Sequence, residues 1–282
     1  MFKHIILIFI ALAGMCIASD KTFETQAGLG KYIKNQINSC SLVKSYPSEF
    51  ARQGVAVDDK YFYAINNREI GKYDKNTGKL ISKWVGDENG PIIHLDSGVV
   101  VNGKLYCAHS NYHDLPMTSS VEVWDTKTMK HIDSHSFGIN WGSLTWVDWH
   151  NNSWWATFGN YSRVFGPSMD PYGNSYYTQL IKFDSNWDFQ EAFIFPDEII
   201  EKAEPMSISG GSWGEDGYLY VTGHDLSEMY KVELPESGSI LKLVDTIAVA
   251  NEGQGIAWDR SDPGMLYTIE RSNRVVNISE CK

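Results

Sequence analysis

Basic residues are scarce in this chain: Lys and Arg number 24 against 35 Asp and Glu, a formal net charge of −11. That balance argues against nucleic acid or an anionic membrane as partner, since both need clustered cations to neutralise phosphate. Long apolar runs are equally rare. One stands out, residues 5–13, and it is too short to span a bilayer comfortably. Cysteine is sparse, four in 282 residues. A Trp-Asp pair closes a strand at Trp124-Asp125 but is missing from the comparable positions, so WD repeats are a poor match. No calcium-loop signature occurs either.

Lys3 and His4 precede that apolar run, and the segment ends in Cys16-Ile17-Ala18. Residues 1–18 therefore read as a secretory signal, with Ser19 the first mature residue. A lipoprotein would need a small residue before the cysteine, where Met15 stands. The expectation is a secreted monomer with no membrane attachment after cleavage. It would carry an N-terminal extension over residues 19–39 and a single domain over residues 40–282.

Aromatics are plentiful, 10 Trp, 15 Tyr and 12 Phe, as aromatic-rich strands require. A repeat organises them. KYFYAINN, KLYCAHSN, SWWATFGN, YLYVTGHD and MLYTIERS alternate apolar and polar residues, starting at Lys60, Lys104, Ser153, Tyr218 and Met265. Each is preceded by another strand-like segment and a short Asp/Asn/Gly turn, and the first four are followed by two more strands. The last unit runs out at Lys282 after its third strand, and SLVKSYP near the mature N-terminus supplies its fourth. This predicts an all-β fold, a five-bladed β-propeller whose last blade is closed by an N-terminal outer strand. A six-bladed ring is the alternative, but residues 19–39 lack strand-turn-strand content.

With Cys16 lost in the signal, Cys40, Cys107 and Cys281 remain. Cys281 lies just past the third strand of the split blade and Cys40 just before its fourth, so a Cys40–Cys281 disulfide is predicted in place of the missing hairpin turn. On the chain-entropy model it is worth about 4 kcal/mol. Cys107, mid-strand among apolar neighbours, reads as an inert core thiol.

In a propeller, the loops entering the first strand and leaving the second share one face. Here those loops are long, whereas the turns between first and second strands are tight, as at Asp58-Asp59 and Asn102-Gly103. Extra length on one face marks where a rigid scaffold carries its site. Residues predicted to converge there include His109, His224 and Glu270 as acid/base and orienting groups. Arg68 and Arg271 would be anion clamps, and Gln53, Asn66, Asn111 and Gln254 further substrate contacts. This set suits isomerase- or lyase-type chemistry on a small anionic or sugar-derived substrate, without a cofactor. A divalent metal on His109, His113, Asp114 and His224 is a second reading. A third is a non-catalytic binder of glycans or proteins, through loop aromatics such as Tyr112, Trp141, Tyr161, Phe165, Tyr172, Tyr176 and Tyr177. Gly210-Gly211-Ser212-Trp213-Gly214 spells G-x-S-x-G, but inside a strand and without the turn into a helix that a nucleophile elbow requires. Sequons stand at Asn151, Asn160 and Asn277.

The stretches GVAVDDKYFYAINNREIGKYDKNTGK, GPIIHLDSGVVVNGKLYCAHSNYHDLPMTSSVEVWD, GSLTWVDWH and EGQGIAWDRSDPGMLY resemble a family of secreted propellers labelled cycloisomerase-like, after muconate-lactonising propeller enzymes. The resemblance spans residues 41–279 and implies a propeller. It raises isomerase or lyase chemistry as an expectation and assigns no catalytic residue.

Overall fold

A computed structural model describes residues 37–164 and 173–282. The expected signal, most of the extension, and the loop aromatics Phe165 and Tyr172 lie outside the described residues. The described chain opens on β1 (Cys40–Pro47) and continues through four complete antiparallel meanders. Blade 1 comprises β2 (Gly54–Val57), β3 (Tyr61–Asn66), β4 (Glu69–Asp74) and β5 (Leu80–Val85). Blade 2 comprises β6 (His94–Val101), β7 (Lys104–Ser110), β8 (Ser119–Asp125) and β9 (Lys130–Gly138). Blade 3 comprises β10 (Ser143–His150), β11 (Ser153–Gly159), β12 (Gln179–Phe183) and β13 (Phe189–Ile194). Blade 4 comprises β14 (Gly210–Trp213), β15 (Leu219–Thr222), β16 (Glu228–Glu233) and β17 (Lys242–Ala248). The last sheet runs β18 (Ala257–Trp258), β19 (Met265–Glu270), β20 (Val275–Cys281) and then β1.

The first strands of the five sheets neighbour one another around an axis, β2 beside β6, β6 beside β10, β10 beside β14, β14 beside β18 and β18 beside β2. The protein is a five-bladed β-propeller, with no sixth sheet among the described residues. Burial follows radius. Inner β14 is buried throughout, whereas outer β17 alternates exposed and half-buried residues, because only its inward face meets another blade.

Two blades are stitched by the same polar device. In blade 4, Asp216 accepts the Tyr220 hydroxyl at 2.7 Å and the Lys231 ammonium at 2.9 Å, and Lys231 lies over the Tyr218 ring at 4.1 Å. In blade 1, Asp58 accepts the Tyr63 hydroxyl at 2.6 Å, and Lys72 lies 3.8 Å from the centre of the Tyr61 ring while donating to the Thr126 carbonyl. The aspartate sits in the turn between first and second strands, and the buried lysine is tolerated because aromatic faces and oxygen acceptors replace its water.

Between blades 3 and 4 the connection folds into a short helix, α1 (Asp197–Ala203), that repeat reading does not show. Asp197 and Glu198 occupy its positive N-terminal turn, and Ile199, Ile200 and Ala203 pack onto Trp146, Trp155 and Trp213.

Inner strands approach most closely at one level of the axis. A Cβ on Gly54 would lie 2.7 Å from Cα of Ser97, and one on Gly255 would lie 2.7 Å from Cα of Gly54. On Gly210 it would stand 2.2 Å from the Gln254 carbonyl oxygen. Glycine is required at these points, where the backbones of neighbouring inner strands meet side by side around the ring.

Ring closure matches the expectation from sequence. β1 pairs with β20 from Cys40↔Cys281 to Pro47↔Val275, with one bulge, and Cys40 is bonded to Cys281. Cys107 is a free thiol, buried without exposure. A Cys40→Ala/Cys281→Ala variant should lose about 4 kcal/mol of unfolding free energy, measured by urea titration. A loss below about 1 kcal/mol would mean that strand pairing alone holds the termini.

Candidate functional site

Strand direction carries the starts of the inner strands and the ends of the second strands to the long-loop face. His224 ends this path in blade 4. Its Nδ1 lies 2.8 Å from Asp225 Oδ2, and its Nε2 lies 3.2 Å from Nη1 of Arg271 in blade 5. Because a guanidinium only donates, Nε2 is the acceptor and Nδ1 carries the proton toward Asp225. Arg271 also reaches Asp225 through Nη2, so three side chains from two blades close one cycle. Burial, more than the opposing Asp225, pulls the His224 pKa below its ordinary value, with Arg271 and Arg163 adding to the fall. The imidazole is neutral at neutral pH. Beneath it the buried Gln254 donates to the His224 carbonyl at 3.1 Å.

Arg163, on the long loop of blade 3, also acts electrostatically on Tyr112 of blade 2. The Tyr112 ring lies 4.9 Å from His94 and 5.0 Å from Tyr161. Burial, with the nearby His109, His113 and Arg52, lowers His94 to about 4. Two residues further along β6, Asp96 is 5% exposed and Oδ1 has no hydrogen-bond partner among the described residues. Desolvation raises its pKa well above the ordinary carboxylate range, against one backbone hydrogen bond from Ser97.

Other residues picked out in the sequence do different work. His109 ends β7 as expected, but its ring lines a pocket between blades 1 and 2 with Trp84, Ile92 and His131. Nε2 accepts the Ile93 N–H at 3.1 Å, and Nδ1 therefore donates to Ser120 Oγ at 2.9 Å. Ser120 passes the chain to Glu122 at 2.6 Å, which His131 meets at 2.7 Å. Both ring nitrogens of His109 are engaged, so it is not paired with His224 and does not assemble a metal set with His113, Asp114 and His224. Among the described residues no group of three or more His, Cys, Asp or Glu is placed to hold a metal. Glu270 accepts from Asn273, and the orienting position at His224 belongs to Asp225.

Arg68 donates to the Ile92 carbonyl, Asn66 to Glu69 and Gln53 to Asn67. Asn111 ties its own loop together through Pro116 and Thr118. Of the sequons, Asn151 is an exposed turn residue with φ 49°. The Asn160 amide donates to the carbonyls of Trp141 and Tyr177. Asn277 is buried between Ser45 and the Ala250 carbonyl, where the folded sheet leaves no room for a glycan.

Asp225, Arg163, His94 and Asp96 are the residues that sequence reasoning undervalued. The signal for Asp96 was a carboxylate inside an otherwise apolar inner strand. For Arg163 it was only membership of a long loop. Away from this mouth, a cavity of about 820 Å³ opens on the tight-turn face.

No family model matches the chain, and no curated protein does. Among solved structures, the hydrazine synthase of Kuenenia stuttgartiensis is 12% identical and aligns over 80% of this chain and 82% of its own, with a TM-score of 0.46. A luciferin-regenerating enzyme is 10% identical over 86% of this chain and 94% of its own, with a TM-score of 0.48. The WD40 repeats of RRP9 are 8% identical over 88% and 99%, with a TM-score of 0.46. At these identities the likenesses carry no argument about function. The class is that of five-bladed propellers, and it rests on the strand order above.

Half-buried His94 and buried Asp96 of β6 make opposite predictions. His94 has a folded pKa of about 4 against 6.5 when unfolded, so its stabilising contribution is complete above pH 6.5 and is lost as pH falls toward 4. His94→Gln should flatten that acid slope, by up to about 3 kcal/mol. Asp96 has a raised folded pKa, so its contribution is complete below the ordinary carboxylate value and is lost as pH rises. Asp96→Asn should therefore be more stable than the parent at pH 8, with the difference fading near pH 4. Urea titrations across pH check both, and an unchanged slope in either variant would show that group to be solvated.

Proposed function

We propose that this protein is a secreted enzyme. Its long-loop face moves a proton on a small anionic or sugar-derived substrate, the isomerase- or lyase-type chemistry implied by the cycloisomerase-like resemblance. The observation that carries this reading is the His224–Asp225–Arg271 cycle, with the Arg163 charge acting on it from a third blade. Arg271 and Arg163 take the substrate carboxylate. Engaging Arg271 frees Nε2 of His224, whose lone pair accepts a proton from the substrate. Asp225, holding Nδ1–H, orients the ring and stabilises the imidazolium that forms. Burial keeps His224 unprotonated at neutral pH, so the base is ready before substrate arrives.

A second reading is favoured by one surface feature. A groove of about 410 Å³ on the same face runs past Trp141 and Tyr177, with Leu115 and Ile139 at its edges. Tyr177 is 71% exposed, far more than packing requires. Such a groove suits stacking on a sugar ring without catalysis.

Hydrogen–deuterium exchange at carbon, followed by NMR for a panel of uronic acids and unsaturated dicarboxylates, separates the two. The enzyme reading expects exchange or product with at least one member, and a rate flat through neutral pH that falls in acid as His224 protonates. His224→Gln should lower the rate by about a hundredfold or more with an unchanged circular-dichroism spectrum. Arg271→Gln should raise KM. Exchange that survives in His224→Gln would remove that residue from the mechanism. Saturable binding with no exchange, lost in Tyr177→Ala and Trp141→Ala, would favour the glycan binder.

A further inference from the structure

The cavity on the tight-turn face sits among the inner strands. Its walls come from all five inner strands, with Val57, Val99, Val147, Gly211 and Ala257 among the lining residues. Gly54, Ser97, Gly210 and Gly255, where neighbouring inner strands approach most closely, do not line it. The volume, about 820 Å³, lies within the ordinary range for small-molecule sites. None of His224, Asp225, Arg163 and Arg271 lines this cavity.

The polar groups of this pocket are unevenly spent. Asp148, 1% exposed, accepts the N–H groups of Trp213 at 2.8 Å and Trp149 at 2.7 Å, and Nη2 of Arg260 at 2.6 Å. Asp58 is taken up by the Tyr63 hydroxyl and two backbone N–H groups. Asp259 is taken up by Lys75 and Ser261. Cations are left over. Arg260 spends only Nη2, and the Lys60 and Lys127 ammonium groups have no hydrogen bond or ion pair among the described residues. Exposed Asp59 is the one lining acid left unpaired. In a chain of net charge −11, this mouth offers chiefly cationic donors. Below them valines, Ala257, glycines and the Trp258 ring form the apolar part of the wall, with Ser212 and Asp148 as polar groups beside them.

We propose that this pocket is a second ligand site, lined by other residues than the long-loop face, and that it takes a small carboxylate with a compact apolar body. The carboxylate lies on the unspent N–H groups of Arg260, a guanidinium that Asp148 holds across the axis, and Lys60 and Lys127 supply the attractive field at the rim. The apolar body replaces water against Val99, Val147 and Trp258. Because Asp148 already accepts four donors, the Ser212 hydroxyl at 3.3 Å being the fourth, it anchors Arg260 without repelling the ligand.

The test uses the mature full chain with 4-bromobenzoate, its binding measured by calorimetry and its bromine located by anomalous diffraction from a crystal soaked with it. The expected result is saturable binding with the bromine deep among Val99 and Val147 and the carboxylate at Arg260, whereas benzyl alcohol, which lacks the charge, binds about tenfold more weakly or worse. Arg260→Gln exposes a buried Asp148 charge and risks the fold, so the informative variant is the rim pair Lys60→Gln/Lys127→Gln. Both residues are exposed, and the double variant should weaken binding about threefold, an effect that shrinks as salt is raised. Bromine at the long-loop face only, no saturable binding, or equal affinity for benzyl alcohol would each overturn the proposal. None of these outcomes bears on proton transfer at His224.

Discussion

Everything in this molecule hangs on the pairing of the two chain ends. β1 contributes the outer strand of a sheet whose other three strands come from the last quarter of the chain, and the first pair in that register is the covalent one, Cys40 with Cys281. A ring of sheets tolerates no loose member, because each blade buries its faces against two neighbours. Tyr46 of β1 packs with Phe62 and Tyr73 of blade 1 and Tyr267 and Val276 of its own sheet, so the outer strand is also part of the seam between last and first blades. The disulfide removes chain entropy from the unfolded state over nearly the whole domain, and the seam supplies apolar burial in the folded one.

Closing five twisted sheets around an axis crowds their inner strands, and that crowding shapes both candidate sites. Gly54, Gly210 and Gly255 let neighbouring inner strands come into backbone contact around the axis. Above them lie the long loops with His224, Arg271, Asp225 and Arg163. Below them lies a pocket whose acids are almost all consumed by internal partners. Burial has sorted the titratable groups by whether a partner is present. Asp148 is met by donors from three blades, while His94 and Asp96, poorly compensated, are held toward their neutral forms.

Repeats, alternation and turn chemistry were readable along the chain because each blade is a local meander. Its strands are joined by short turns whose residues announce themselves, as at Asn102-Gly103 and Asp216-Gly217. The split blade was readable too, since a missing fourth strand at one end was matched by an orphan strand at the other. Site chemistry was legible only in part. His224 and Arg271 meet as their positions at strand ends implied. His109 stands one place earlier in its repeat than His224 does, sixth in KLYCAHSN against seventh in YLYVTGHD. Strand alternation therefore sends its ring to the other face, where the Ile93 N–H and Ser120 hold it in the seam with blade 1. The partners that engage it come in part from the connection between blades, which the repeat pattern does not show.

By itself the sequence determined the number of blades, the closure by both termini and the cysteine pair, because these follow from periodicity and counting. Only the tertiary structure decided which polar side chains point inward together, and that a sizeable pocket opens on the face with the tight turns. Those properties depend on distances between blades. Such distances are set by how close two backbones can come, and no single repeat contains that information.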